Sequence, residues 1–255
     1  MSETTVYQTP DQLPGAAQTS LAHLLWAIAD SKQALGFRYA EWASKAPVLE
    51  AGVAASAMAQ AELGHTRVLL MLLRSFPAVP LEVTNDDEGR RTDLHAPSFL
   101  ERSLATWPEF VTVNLLFDGA LSEVLQAMRG SSFAPLAGRM EKMLDEERFH
   151  AMHARDWFRR LGRQSDAARE ALQTAVDQIW PEVLCWFGPD GDLDALAEIG
   201  VLDIGSAALR LRFMQRVVPL LNQGGVAVAT ESELPWDQWN SIARRLVRPE
   251  VEVAP

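Results

Sequence analysis

Long stretches free of proline, closed off by prolines and glycines at their ends, constrain this chain more than any other feature. Leu21 to about Ser44 holds one glycine and no proline, and Pro47 breaks it. Val48 to about Phe76 follows, rich in Ala, Leu and Met, and Pro77 and Pro80 end it. A third run covers about Ser98 to Arg129, with Pro108 as a dividing point and a new start at Trp107-Pro108-Glu109. A fourth covers about Phe133 to Leu161 and stops at Gly162. Ser165-Asp166 opens a fifth, which reaches about Phe187 before the turn Gly188-Pro189-Asp190-Gly191. Shorter helices are predicted near 192–200, 206–222 and 237–247. No segment sustains the alternation of a strand.

Helices of this length exceed the globular average. Four of them, paired by short turns and parted by one long polar connection at 77–97, predict an all-α, ferritin-like four-helix bundle with additional C-terminal helices. The domain is expected at 21–223, after a flexible leader (1–20) and before a tail with a short helix (224–255). The long connection is expected to cover a site or meet a partner. A formal charge of -11 argues against nucleic acid as a partner, because phosphate binding needs a basic surface. No apolar run is long enough to cross a membrane, and the polar N-terminus lacks the pattern of a signal peptide. The single cysteine, Cys185, fits a reducing cytoplasm and reads as a small buried residue.

Two of the five histidines follow a glutamate by three residues: Glu62-Leu63-Gly64-His65 and Glu147-Arg148-Phe149-His150. At that spacing both side chains lie on one helix face and can ligate one metal or two adjacent ones. A di-metal bundle asks for one further carboxylate from each partner helix. Asp30 and Glu62 are each roughly 20–25 Å from the turn near Pro47 at 1.5 Å per residue, so they meet at one level. Asp118 and Glu147 are each roughly 20 Å from the turn at 130–133 by the same measure. All four carboxylates stand in apolar stripes: Trp26, Ala27, Ala34 and Phe37 flank Asp30, for example, and Leu115, Leu121 and Leu125 flank Asp118. A carboxylate buried among apolar groups needs a compensating partner, and metal ions would supply it. The predicted ligand set is Asp30, Glu62, His65, Asp118, Glu147 and His150, with Glu146 as a substitute or helper for Glu147. A polar core without metal is the competing arrangement. His23 and His95 carry no partner pattern and are expected to face solvent; His153 is expected beside the centre or at the surface.

At these residues the sequence resembles the ferritin-like subunits of the multicomponent phenylacetyl-CoA epoxidase. The resemblance spans roughly residues 21–222 and rests on RYAEWASKAPVLE, AMAQAELGHTRVLL, DEERFHAMHARDWFRRLG, and the stretch from DQIWPEVLCWFG through LDALAEIGVLD. Overall the chain is most similar to the structural subunit, yet its ligand set is like that of the catalytic one. The catalytic subunit carries a lysine one turn before its first Glu-x-x-His glutamate; Met58 stands there in this chain. The resemblance implies two iron ions, dioxygen as co-substrate and electrons from a separate reductase. It also implies a CoA-thioester substrate, and a second ferritin-like subunit and a small subunit as partners in a homo- or hetero-oligomer. Asp30 and Asp118 would be terminal carboxylates, Glu62 and Glu147 bridging ones, and His65 and His150 terminal imidazoles. A scaffold for a catalytic partner and a ferroxidase-type iron handler are the alternative roles.

Overall fold

A computed structural model of the chain describes residues 5–84, 94–229 and 233–247. Four long rods form the bundle. Helix α1 (Gly15–Glu41) and helix α2 (Leu49–Leu73) make the first hairpin. The third rod is continuous from α3 (Trp107–Val113) through a π turn (Asn114–Asp118) into α4 (Gly119–Ala127), and α5 (Ala134–Gln164) returns beside it. The two hairpins pack together into the ferritin-like bundle that the helix lengths and the long connection predict. Helix α6 (Asp166–Trp186) packs on α3 and α5, and α8 (Ser206–Gln223) on α4 and α5, with the short α7 (Asp194–Glu198) against α1.

Local chemistry accounts for most of the boundaries. The third run divides where Pro108 predicts, and a new helix starts at Trp107. Thr106 caps α3, its hydroxyl accepting from the Glu109 N–H at 3.2 Å, and Pro108 lies in the first turn, where its missing N–H has no intrahelical partner to lose. Ser98–Leu100, expected inside the third helix, is a separate 3-10 turn. Ser165 caps α6 through a bond from the Ala168 N–H at 3.2 Å. The ends of α5 and α8 meet at bare backbone: a Cβ on Gly162 would run into the Gly224 carbonyl oxygen.

The termini differ from the sequence-based expectation. The stretch expected as a flexible leader is packed from Tyr7 onward. Tyr7 N–H donates to Ser132 O at 2.8 Å, its carbonyl accepts from Ala134 N–H at 2.9 Å, and Leu13 is buried. Helix α1 begins at Gly15, inside the supposed leader. The helix expected near 237–247 is instead a small antiparallel hairpin, β1 (Trp239–Asn240) with β2 (Arg245–Leu246). Asn240 is the cause: its side-chain oxygen accepts from the N–H groups of Ile242 and Ala243, which closes a turn in place of a helix, and Arg244 adopts φ 49°. Arg244 then drives its buried guanidinium into Asp192 Oδ2 (2.5 Å) and the carbonyl of Phe187 (3.2 Å). The centre of the long connection, 85–93, where a cover over the site is expected, lies outside the described residues.

Candidate metal centre

Halfway along the bundle, three carboxylates from three rods converge. Helix α2 contributes Glu62, the π turn contributes Asp118 and α5 contributes Glu147. The irregularity in the third rod matters here. A π turn adds a residue to one turn of helix, and this one presents Asn114 and Asp118 to the same point, where the Asn114 amide donates to Asp118 Oδ2 at 3.1 Å. With His150, these carboxylates form a buried group whose ligand atoms lie within 4.8 Å of one another. Glu62, Asp118, Glu147 and His150 are each no more than 2% exposed. The depth matching worked from helix rise thus holds for the second hairpin and for Glu62.

It does not hold for Asp30. That carboxylate is buried, but it turns away from the centre to accept from the His95 N–H at 2.8 Å. The physical reason is helical phase: residues two apart on a helix are separated by roughly 200°. The side chain that α1 does send inward is Lys32. Its ammonium is fully enclosed and lies 3.1 Å from Glu62 Oε1, 3.0 Å from Glu62 Oε2, 3.0 Å from Asp118 Oδ1 and 2.5 Å from Glu147 Oε1. His95, expected in solvent, stacks on Trp26 with ring centroids 3.9 Å apart.

The histidines take different roles. His150 Nδ1 lies 2.9 Å from Asp118 Oδ2 and 3.3 Å from Glu62 Oε1. His65 faces the centre with Nδ1, 3.4 Å from Glu147 Oε1, while its Nε2 bonds Glu146 Oε2 at 2.7 Å. Glu146 is therefore a partner of His65 and does not replace Glu147. His65 Nδ1 is buried and has no hydrogen-bond partner. Around these groups, Tyr39 donates its hydroxyl to Asp118 Oδ2 (3.0 Å) and Ser122 donates to Glu147 Oε2 (2.7 Å). His153 sits just outside, 3.3 Å from Asn114 Oδ1.

Electrostatics follow from burial and the enclosed ammonium. Burial works against the charged form of Lys32, but Asp118, Glu147 and Glu62 outweigh it and hold its pKa well above the ordinary value. Burial pushes Asp118 up, yet Lys32 and His150 carry it well below the carboxylate range. Burial pushes His150 down, yet Asp118 holds it protonated. Glu62 is raised to about 7 by burial and by the neighbouring Asp118 charge. Two cations thus face three carboxylates, one of which titrates near neutrality, so the centre is nearly charge-balanced by the chain itself.

The donor chemistry (carboxylates and imidazoles) suits iron or manganese. The occupancy of the centre does not. A metal bound at roughly 2.0–2.2 Å from these oxygens would stand within a few ångströms of the ammonium that already contacts all three carboxylates, in a medium that screens poorly. The four-residue group could hold a metal ion, but with the ammonium in place a metal would have to displace Lys32.

Four residues of this network escaped sequence reasoning: Lys32, Tyr39, Asn114 and Ser122. A signal for Lys32 exists. About one turn either side of it, Ile28, Ala29 and Leu35 are apolar, and a lysine embedded in such a stripe is a candidate buried cation.

A cavity of about 620 Å³ opens between α2 and α5 and reaches both His65 and His150. Ala57, Ala61, Gly64 and Phe149 form much of its wall, and Arg139 and Lys142 are its cations.

The sequence matches the family described as "Phenylacetic acid catabolic protein" over residues 1–241. Two different subunits of the 1,2-phenylacetyl-CoA epoxidase of Escherichia coli (strain K12) are similar to it. One is 24% identical over 260 residues, covering 95% of this chain and 83% of the relative. The other is 24% identical over 207 residues, covering 80% of this chain and 82% of that relative. Among solved structures, two point variants of an R2-like ligand-binding oxidase with an aerobically reconstituted Mn/Fe cofactor share the fold. One superposes with a TM-score of 0.58 at 16% identity over 86% of this chain and 84% of that chain; the other gives 0.57 at 17% over 89% and 87%.

Proposed function

Because the chain belongs to the phenylacetic acid catabolic protein family, we propose that it is a ferritin-like subunit of a di-iron oxygenase complex that epoxidises an aryl-CoA thioester in aerobic phenylacetate catabolism. The observation that carries the reading is the match to that family over residues 1–241, with both Glu-x-x-His pairs and Asp118 brought to the middle of the bundle. Among the described residues no helix is long and apolar enough to cross a membrane. The cytoplasm, where a CoA thioester is met, is the proposed location.

The reaction of such a complex consumes dioxygen and needs electrons from a reductase. A pair of irons, a second ferritin-like subunit and a small subunit complete the assembly. Within this chain, Glu62, His65, Asp118, Glu147 and His150 are the groups with the chemistry of metal ligands. The cavity between α2 and α5 leads toward them, and its apolar wall with Arg139 and Lys142 suits a ligand that is part apolar and part anionic. Among the roles the sequence left open, a scaffold for a catalytic partner is favoured by one specific observation: the enclosed ammonium of Lys32. The same observation counts against an iron-handling role, which would need the centre open to ferrous ion.

Co-expression with the second ferritin-like subunit, the small subunit and the reductase of such a complex tests the proposal. The chain should copurify in a stable assembly, and oxygen-dependent epoxidation of phenylacetyl-CoA should be lost when it is left out. A chain that stays apart from these partners, or a complex fully active without it, refutes the reading.

A further inference from the structure

We propose that Lys32 is the resident cation of this centre: its ammonium takes the place of a metal among Glu62, Asp118 and Glu147, so that the bundle of this chain closes without metal. If the proposed function also holds, oxygen activation in the assembly falls to another subunit. That consequence rests on the proposed function; the statement about Lys32 rests on geometry alone.

Burial sets the demand. Three carboxylates enclosed at one point are prohibitive unless cations accompany them. In a bundle with a carboxylate from each rod, metals meet that demand. Here α1 supplies an amine in place of the fourth carboxylate, and the amine reaches all three remaining ones at 2.5–3.1 Å. Each carboxylate comes from a different rod, so a single side chain ties α1 to α2, to the π turn and to α5. Nor has Lys32 anywhere else to go. Ile28, Ala29 and Leu35, about one turn along α1 on either side, are fully buried. An amine that swung out of the centre would leave three carboxylates behind and would itself be buried unpaired.

One atom points to what the centre would do without the amine. His65 Nδ1 is buried, aimed at Glu62 and Glu147, and without a hydrogen-bond partner. Together with His150 Nδ1, it leaves a donor set of two imidazoles and three carboxylates standing around the ammonium. Removing the amine should therefore uncover a metal site, and the loss of internal charge balance should make stability depend on filling it.

The test uses the full chain, purified from iron-supplemented cells and dialysed against a chelator. Metal content is read by mass spectrometry and melting temperature in EDTA against Mn²⁺ or Co²⁺. Wild type should retain under ~0.1 ion per chain, and its melting temperature should shift by less than about 1 °C with either ion. Lys32→Met should melt well below wild type in EDTA and recover by at least about 5 °C with Co²⁺, with uptake of about one to two ions per chain, a roughly ten-fold gain in retained metal. Lys32→Glu, which returns a carboxylate to α1, should behave likewise, whereas Lys32→Arg keeps a cation and should stay metal-free. The Co²⁺ absorption spectrum gives a readout independent of stability. Stoichiometric metal in wild type, lost on Glu62→Ala, overturns the proposal even if no Lys32 variant folds. So does a Lys32→Met chain that folds normally and takes up no metal. Copurification with the other subunits is scored separately, so failure here is distinct from failure of the proposed function.

Discussion

Asp118→Asn isolates the electrostatic argument, because the amide keeps the shape of the side chain and removes only its charge and one acceptor. In the wild-type centre, Asp118 Oδ1 accepts from Lys32 at 3.0 Å. Oδ2 faces three donors: Tyr39 Oη at 3.0 Å, Asn114 Nδ2 at 3.1 Å and His150 Nδ1 at 2.9 Å. An asparagine must turn its NH₂ either toward the ammonium or toward those three donors, so at least one buried donor is left facing another. Removing one partner of a buried, hydrogen-bonded charge group costs about 3–5 kcal/mol. Taking ~4 kcal/mol and a urea slope near ~3 kcal/mol/M for a chain of this size, the unfolding midpoint should fall by roughly 1.3 M with the slope unchanged. Lys32→Met alone should cost a similar amount. The double variant, which removes one charge of each sign, should cost less than the sum by about 2–3 kcal/mol, as expected for groups in direct contact. Equilibrium urea unfolding of the four proteins in EDTA near neutral pH measures this. A cost below about 1 kcal/mol for Asp118→Asn, or strict additivity in the cycle, would show that the enclosed ammonium and carboxylate are not a coupled pair.

Cys185 is buried, and burial pushes its thiol up to about 12, so its thiolate fraction at mildly alkaline pH is on the order of 10⁻⁴ and alkylation by iodoacetamide should run at least ~100-fold slower than in urea-unfolded chain; comparable rates would contradict its enclosure. Burial, and then the neighbouring His150, bring the His153 ring down to about 4, below its unfolded value of 6.5. The neutral ring therefore contributes stability that is present above pH 6.5 and lost as pH falls toward 4; discounted for partial exposure, the loss by about pH 5 should be ~1 kcal/mol, and His153→Gln should remove that part of the slope in urea midpoints compared between neutral pH and that point. Arg244→Ala should leave Asp192 without its partner at 2.5 Å and free the C-terminal hairpin, lowering stability by about 2–4 kcal/mol and exposing Arg245 to trypsin; an unchanged digestion pattern would count against the latch.

The bundle was legible because its signals are redundant. Prolines and glycines mark the ends, apolar stripes mark the faces, and the two Glu-x-x-His pairs fix which faces meet. The C-terminal hairpin was not legible, because a single Asn side chain competing for two backbone N–H groups outweighs a helical pattern of modest strength. The packed N-terminus was hidden for a related reason: Tyr7 is held by the backbone of 132–134, a contact far away in sequence that leaves no local pattern.

The misplacement of Asp30 has a different origin and bears on how such centres are built. Depth along a helix follows from counting, and Asp30 and Lys32 differ by only roughly 3 Å in height. Direction around the helix is a second coordinate, and it separates the two residues almost completely. Counting alone selects the carboxylate, because carboxylates are what a metal requires and lysines are rarely enclosed. Once the three opposing carboxylates are placed, the preference inverts: a fourth negative charge at that point needs a metal to offset it, whereas a positive one, with the protonated His150 and the raised Glu62, brings the group close to balance. A Glu-x-x-His pair on each of two facing helices therefore specifies the negative side of the centre only. Which cation answers it, an ion from solution or an amine from the chain, is decided by one position on the remaining rod, and in this chain that position is Lys32.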